Sequence, residues 1–210
     1  MLLTGMMLAA PFATHATAEE PAAAPAATAP ATPAAEAPAA KAVKATAPAL
    51  LVDVGQGNSA KLVEALLKRA KTPIPFDYKP MATAADLGSA KSVIVGVGAS
   101  SKGLGAAGLD LNTETARATE LLKAAKDAGL TIIGVHIGGL QRRGEASDGL
   151  NRLVAENASV MIVWKEGEED GFFTRICGEK KVPLHIVERK PDVGTHLESL
   201  FAAEEPAKAE

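Results

Sequence analysis

The stretch SVIVGVGASSKGLGAAGLDLNTETARATELLKAAKDAGLTIIGVH (92–136) decides the fold. SVIVGV (92–97) and LTIIGVH (130–136) are short, β-branched and apolar without in/out alternation, as expected of strands buried on both faces. Between them Ala118, Leu121, Leu122 and Ala125 recur at i, i+3, i+4 and i+7, the spacing of one helix face. Asn112 is the expected N-cap and Gly129 the stop. Strand, helix and strand in this order predict a right-handed βαβ unit with parallel strands.

The same alternation runs outward in both directions. LLVDV (50–54), SVMIVW (159–164) and LHIVE (184–188) read as further strands, and Phe76–Tyr78 as a weaker one. Asn58 or Ser59 is expected to cap a helix with Leu62, Leu66, Leu67 and Ala70 on one face. Ser147 is expected to cap a short helix with Leu150, Leu153 and Val154, and Asp170 one with Phe173, Ile176 and Cys177. Leu197, Leu200 and Phe201 suggest a closing helix. The fold class is therefore α/β: a single doubly wound, three-layer domain (Rossmann-like or flavodoxin-like) over residues 50–202. Its mainly parallel sheet has five or six strands, in the order 2-1-3-4-5 plus a sixth.

The chain of 210 residues is 47% apolar, with 22 basic and 25 acidic residues. Three of the basic and six of the acidic residues fall outside 50–203, so the core carries 19 of each sign. A neutral core with seven aromatic residues in the whole chain gives neither the positive field nor the stacking platform that nucleic-acid binding needs. One cysteine, Cys177, excludes an intrachain disulfide.

Residues 1–18 read as a secretory signal peptide, with A-T-A at 16–18 as the cleavage site, although no Lys or Arg precedes Lys41. The apolar run is too short to span a membrane, so no transmembrane segment is expected. Residues 19–49 hold 16 Ala and 6 Pro and read as an extended tether, and 203–210 as a tail of similar character. The expected location is periplasmic or secreted.

Ligands of doubly wound sheets bind at the carboxyl ends of the strands, where strand order reverses. Four loops leave that edge: GQGNS (55–59), GASSKGLGAAG (98–108), HIGGLQRRGEASD (136–148) and KEGEED (165–170). The first three are glycine-rich. Gln56 lies in the first. In the second, Gly98, Gly103 and Gly105 permit close backbone approach, and Ser100, Ser101 and Lys102 add donors for an anion. A compact turn needing glycine only for shape is the alternative. In the third, Arg142 and Arg143 beside Gly138, Gly139 and Ser147 suit a carboxylate or phosphate, or pair with Glu145 or Asp148. His136 either touches the ligand or orients Gly138. Together these loops predict a positive crevice with an acidic shoulder at 166–170.

No cofactor or metal is expected. GLGAAG (103–108) matches a dinucleotide fingerprint, but starts six residues past its strand, and the next strand ends in His136 rather than an acid. Gly98-x4-Gly103 fails as a P-loop because Leu104 stands where lysine is required. His136, His185 and His196 are scattered in sequence. Glu166, Glu168, Glu169 and Asp170 are most simply a solvated acidic loop opening a helix, and Cys177 a buried inert thiol.

As a set these motifs resemble a bacterial secreted domain family of unassigned function. The pattern is Gly55-Gln56, GASSKGLGAAG, Glu114 with Arg117, HIGGLQRRG, Ser147-Asp148, and Asp170-Gly171-Phe172-Phe173. It covers Leu50 to Phe201, departing at Gly57-Asn58, where serine and proline are expected. The resemblance implies an exported α/β domain and supplies no activity. Three readings follow: a non-catalytic binder of a small anion, which we favour; an enzyme using His136 as acid/base; or a tethered interaction module with an envelope partner.

Overall fold

The computed structural model describes residues 43–202. The expected signal peptide, residues 19–42 of the expected tether and the 203–210 tail lie outside the described residues. Six parallel strands form one sheet: β1 (Ala49–Val54), β2 (Phe76–Tyr78), β3 (Ser92–Val97), β4 (Thr131–His136), β5 (Val160–Trp164) and β6 (Leu184–Val187). Their order is β2-β1-β3-β4-β5-β6, as the alternation predicts.

Helices cover both faces. The helices are α1 (Ser59–Leu67), α2 (Ser101–Ala106), α3 (Leu111–Asp127), α4 (Glu145–Asn157), α5 (Phe172–Lys180) and α6 (Asp192–Phe201). Register alignment turns alternate residues into continuous stripes. Leu51, Ile94, Ile133 and Val160 are cross-strand neighbours, buried with Val63 and Leu67 of α1 and Val193, Leu197 and Leu200 of α6. On the other face Leu50, Val52, Val93, Val95, Ile132 and Met161 are buried with residues of α3, α4 and α5. Both cores exclude water, which accounts for the continuous apolar strands.

Local starts and faces differ from the sequence reading where backbone competition decides them. In α1 the buried apolar positions are Ala60, Val63 and Leu67, while Leu62 is 43% exposed. The cap of α3 is Asp110, whose carboxylate accepts from Thr113 N (2.7 Å) and Thr113 Oγ1 (2.9 Å), not Asn112. The expected 98–108 loop contains α2, and α4 starts at Glu145 with Ser147 inside its first turn. The ordered domain also includes residues 43–49 of the stretch expected as tether. Ala45 N–H donates to Leu200 O (2.9 Å), Thr46 N–H to Ser92 Oγ (3.0 Å) and Thr131 Oγ1 to Lys44 O (3.1 Å). Proline and alanine composition cannot reveal such backbone ties.

Leu121 is fully buried between α3 and the sheet. Leu121→Ala is expected to cost about 2–5 kcal/mol in urea unfolding. Leu62→Ala should stay within about 0.5 kcal/mol.

Candidate functional site

The carboxyl ends of β1 and β3 flank the switch in strand order, and the loop after β1 is tied down from below. Asp53 caps α1, its carboxylate accepting from Gly57 N–H and Ala60 N–H, both at 3.0 Å. Glu114, from α3, has no exposure and accepts from Gly55 N–H at 2.7 Å. Arg117 donates to both Glu114 oxygens (2.8 and 2.7 Å), to Asp53 O (2.7 Å) and to Ala82 O (2.5 Å). The Gln56 side-chain amide donates to Asp53 O at 3.2 Å. Gln56 thus serves the turn, where its backbone sits at φ 53° between Gly55 and Gly57. Burial pushes the Asp53 carboxyl up to about 6, with Glu114 adding to the effect and the Ala60 and Gly57 N–H groups and Arg117 opposing it.

The loop after β3 crosses the first loop at backbone contact. A Cβ on Gly103 would lie 2.0 Å from Gln56 O, so only glycine admits this crossing. Ser100 caps α2 by accepting from Gly103 N–H (3.2 Å), and Ser147 Oγ accepts from Ala99 N–H (3.0 Å). Both hydroxyls expected to serve a ligand therefore hold the loop. Ser101 and Lys102 are exposed, with no protein hydrogen-bond or ion-pair partner among the described residues. Gly105 has open space around it, so its packing imposes no need for glycine.

The loops after β4 and β5 form a second tie, centred on Arg143. Its guanidinium donates to Asp148 (2.8 Å), Asp170 (2.9 Å to each oxygen) and Gly167 O (2.6 Å), and lies 4.1 Å above the Phe172 ring. Burial disfavours this cation, but the two carboxylates more than offset it, and Arg143 holds Asp170 down to about 2. Of the two uses expected of Arg143, ligand clamp or ion pair, the structure shows the pairing with Asp148, joined by Asp170. Of the acidic shoulder, Asp170 pairs with Arg143 and Glu168 caps α5 by accepting from Phe173 N–H and Thr174 N–H, both at 2.7 Å, while Glu166 and Glu169 are exposed.

His136 is fully buried, with its ring 4.9 Å from that of Phe173 and Nε2 3.3 Å from Gly139 O. Its Nδ1 and Asn151 Oδ1 are buried without partners. Burial pulls the imidazole down to about 4, with the Arg143 cation adding to the effect and the Gly139 carbonyl opposing it. A Cβ on Gly167 would meet His136 Cδ2 at 2.4 Å, so the ring is sealed beneath that loop. His136 is thus packed between Phe173 and the Gly167 backbone rather than turned into the strand-end loops. Gly139, at φ 63°, allows the chain to turn against Trp164. Cys177 is buried and its thiol pushed up to about 12 by burial, inert as expected.

Arg142 differs from its neighbour. Its side chain lies against Gly98 and Gly138, where added Cβ atoms would come within 2.8 and 2.2 Å of it, and its Nε donates to Gly57 O (3.1 Å). Three glycines from three loops thus form its bed at the β1/β3 switch. Among the described residues no carboxylate stands within ion-pair distance of Arg142, which remains half-exposed. Beside this region a cavity of about 240 Å³ is lined by Ala99, Ser101, Leu104, Leu109, Asp110 and Ala146, among others. Its walls are mostly apolar, so the expected continuous basic crevice reduces to Arg142 and the exposed Lys102. No sequence signal separates Arg142 from Arg143: the difference lies in which loop each guanidinium reaches.

His136 and Asp53 are expected to oppose each other in acid. His136 has a lowered folded pKa, so the unfolded chain binds the proton first, and stability falls as pH drops from about 6.5 toward 4. Asp53 has a raised one, so its contribution is greatest below about 3.8 and is lost as pH rises through 6. Relative to the wild type, Asp53→Asn should make urea stability fall more steeply between pH 6 and pH 4. His136→Gln should make it fall less steeply. Unfolding midpoints across that range check both signs.

Comparison with curated proteins finds no match. A family profile described as "Domain of unknown function (DUF6305)" matches residues 46–201, nearly the whole described domain. The chain belongs to this family of unknown function, DUF6305.

Proposed function

We propose that the domain is an exported, non-catalytic binding module that holds a small anion at the carboxyl ends of its strands. Arg142 is the primary donor, with Lys102 and Ser101 at the rim. One observation carries this reading: Arg142 lies across the strand-order switch on a bed of glycines with no carboxylate among the described residues to neutralise it. A guanidinium so placed suits bidentate recognition of a carboxylate or phosphate. The neighbouring titratable groups are spent on structure, His136 in the core and Asp53 on the α1 cap. That supports binding over acid/base chemistry. Export rests on residues 1–18 and the Ala/Pro stretch behind them.

An interaction module is the second reading, supported by the apolar lining of the 240 Å³ cavity and by Leu111 on its rim, 39% exposed. An envelope protein would then be the partner.

Titration calorimetry of the folded protein with phosphate, sulfate, citrate and sugar acids separates the two. Binding of at least one anion is expected, weakened roughly tenfold or more in Arg142→Met, corresponding to about 1.4 kcal/mol or above. No heat from any of these anions, or binding unchanged by the substitution, contradicts the anion reading.

A further inference from the structure

At the opposite edge of the sheet, β6 has no strand on its outer side and α6 packs over its end. His185 alternates with Val187 on the α6-facing side of β6, and Val187 is buried against α6. His196 is in the second turn of α6, one turn beyond Asp192. The two imidazoles, eleven residues apart in sequence, come together with ring centroids 5.1 Å apart and planes tilted by 33°. Neither ring makes a hydrogen bond to another protein group among the described residues. His196 borders a cavity of about 350 Å³, also lined by Glu188, Asp192 and Thr195.

We propose that His185 and His196 form a two-histidine site for a borderline divalent transition-metal ion, Cu²⁺, Ni²⁺ or Zn²⁺. Imidazole nitrogen is the ligand type these ions share. Two rings bound at ~2.0–2.1 Å to one tetrahedral Zn²⁺ stand about as far apart as this pair does. Both rings are half-buried, His185 on β6 and His196 on α6. Two carboxylates at the cavity add negative potential. Asp192 is paired with Arg189 (2.7 Å) and Glu188 with Lys165. Glu188 is well exposed, and surface pairs of this kind are worth at most about 1 kcal/mol, so a carboxylate can exchange its partner for the metal. Among the described residues no group of three His, Cys, Asp or Glu side chains is poised around one point. The remaining coordination positions therefore belong to water or to a carboxylate that swings in, as in a site that keeps open positions. This inference does not depend on the anion reading, since it uses a different edge and different residues.

The test is calorimetry of the untagged full chain with Zn²⁺, Ni²⁺ and Cu²⁺ salts alone, paired with thermal unfolding in the same ions. One ion per chain and a rise in Tm are expected. His185→Gln and His196→Gln, which keep a polar side chain of similar size, should each weaken binding by roughly tenfold or more and abolish the Tm rise. His15→Ala should leave both unchanged. Absence of uptake by the folded wild type, or uptake and a Tm rise that persist when both histidines are replaced, overturns the proposal.

Discussion

A carboxylate sealed from water organises the strand ends. Glu114 projects from α3 beneath the loop after β1, accepts the Gly55 N–H and is neutralised by Arg117, which also reaches the backbone at Asp53 and Ala82. Such a pair contributes little net stability compared with an apolar isostere, but losing one partner strands a buried charge. Its consequence here is geometric. It fixes the path of Gly55 and Gln56, and the next loop crosses Gln56 at a distance only Gly103 allows. Arg142 then lies across both loops, donating to Gly57 O.

The two arginines of the third loop show how one dipeptide divides its labour. Arg143 turns inward, joining Asp148 and Asp170 and stacking on Phe172, and so staples the loops after β4 and β5. Arg142 turns toward the strand-order switch and, among the described residues, its guanidinium donates only to carbonyl oxygens, those of Gly57 and Gln141. The overall charge balance of the core conceals this asymmetry. What is left at the strand ends is one guanidinium and the exposed Lys102 beside a small apolar cavity, a much more local feature than a basic crevice.

Much of the fold was legible in the residues because it depends on period and length. Strands buried on both faces read as continuous apolar runs, and Ala118, Leu121, Leu122 and Ala125 gave the α3 face. Helix starts were less legible, since several side chains can compete for the same N–H groups: Asp110 takes the α3 cap two residues before Asn112. The site was legible as a location but not as a set of roles. Ser100, Ser147, Gln56 and His136 have the chemistry of ligands, yet each satisfies a backbone group or fills the core. Those uses depend on contacts between loops far apart in sequence. The pairing of His185 with His196 was invisible for the same reason, because the register of α6 on β6 brings them together.

The division between a structural and a free arginine is the central claim, and it is tested most directly by comparing the unfolding free energies of Arg142→Met and Arg143→Met. Removing Arg143 leaves Asp148 and Asp170 without their cation and Gly167 O without its donor, and should cost about 1.5–3 kcal/mol. Removing Arg142 forfeits only hydrogen bonds to carbonyl oxygens and should cost no more than about 1.5 kcal/mol. Equal losses, or a larger loss at Arg142, would contradict the account.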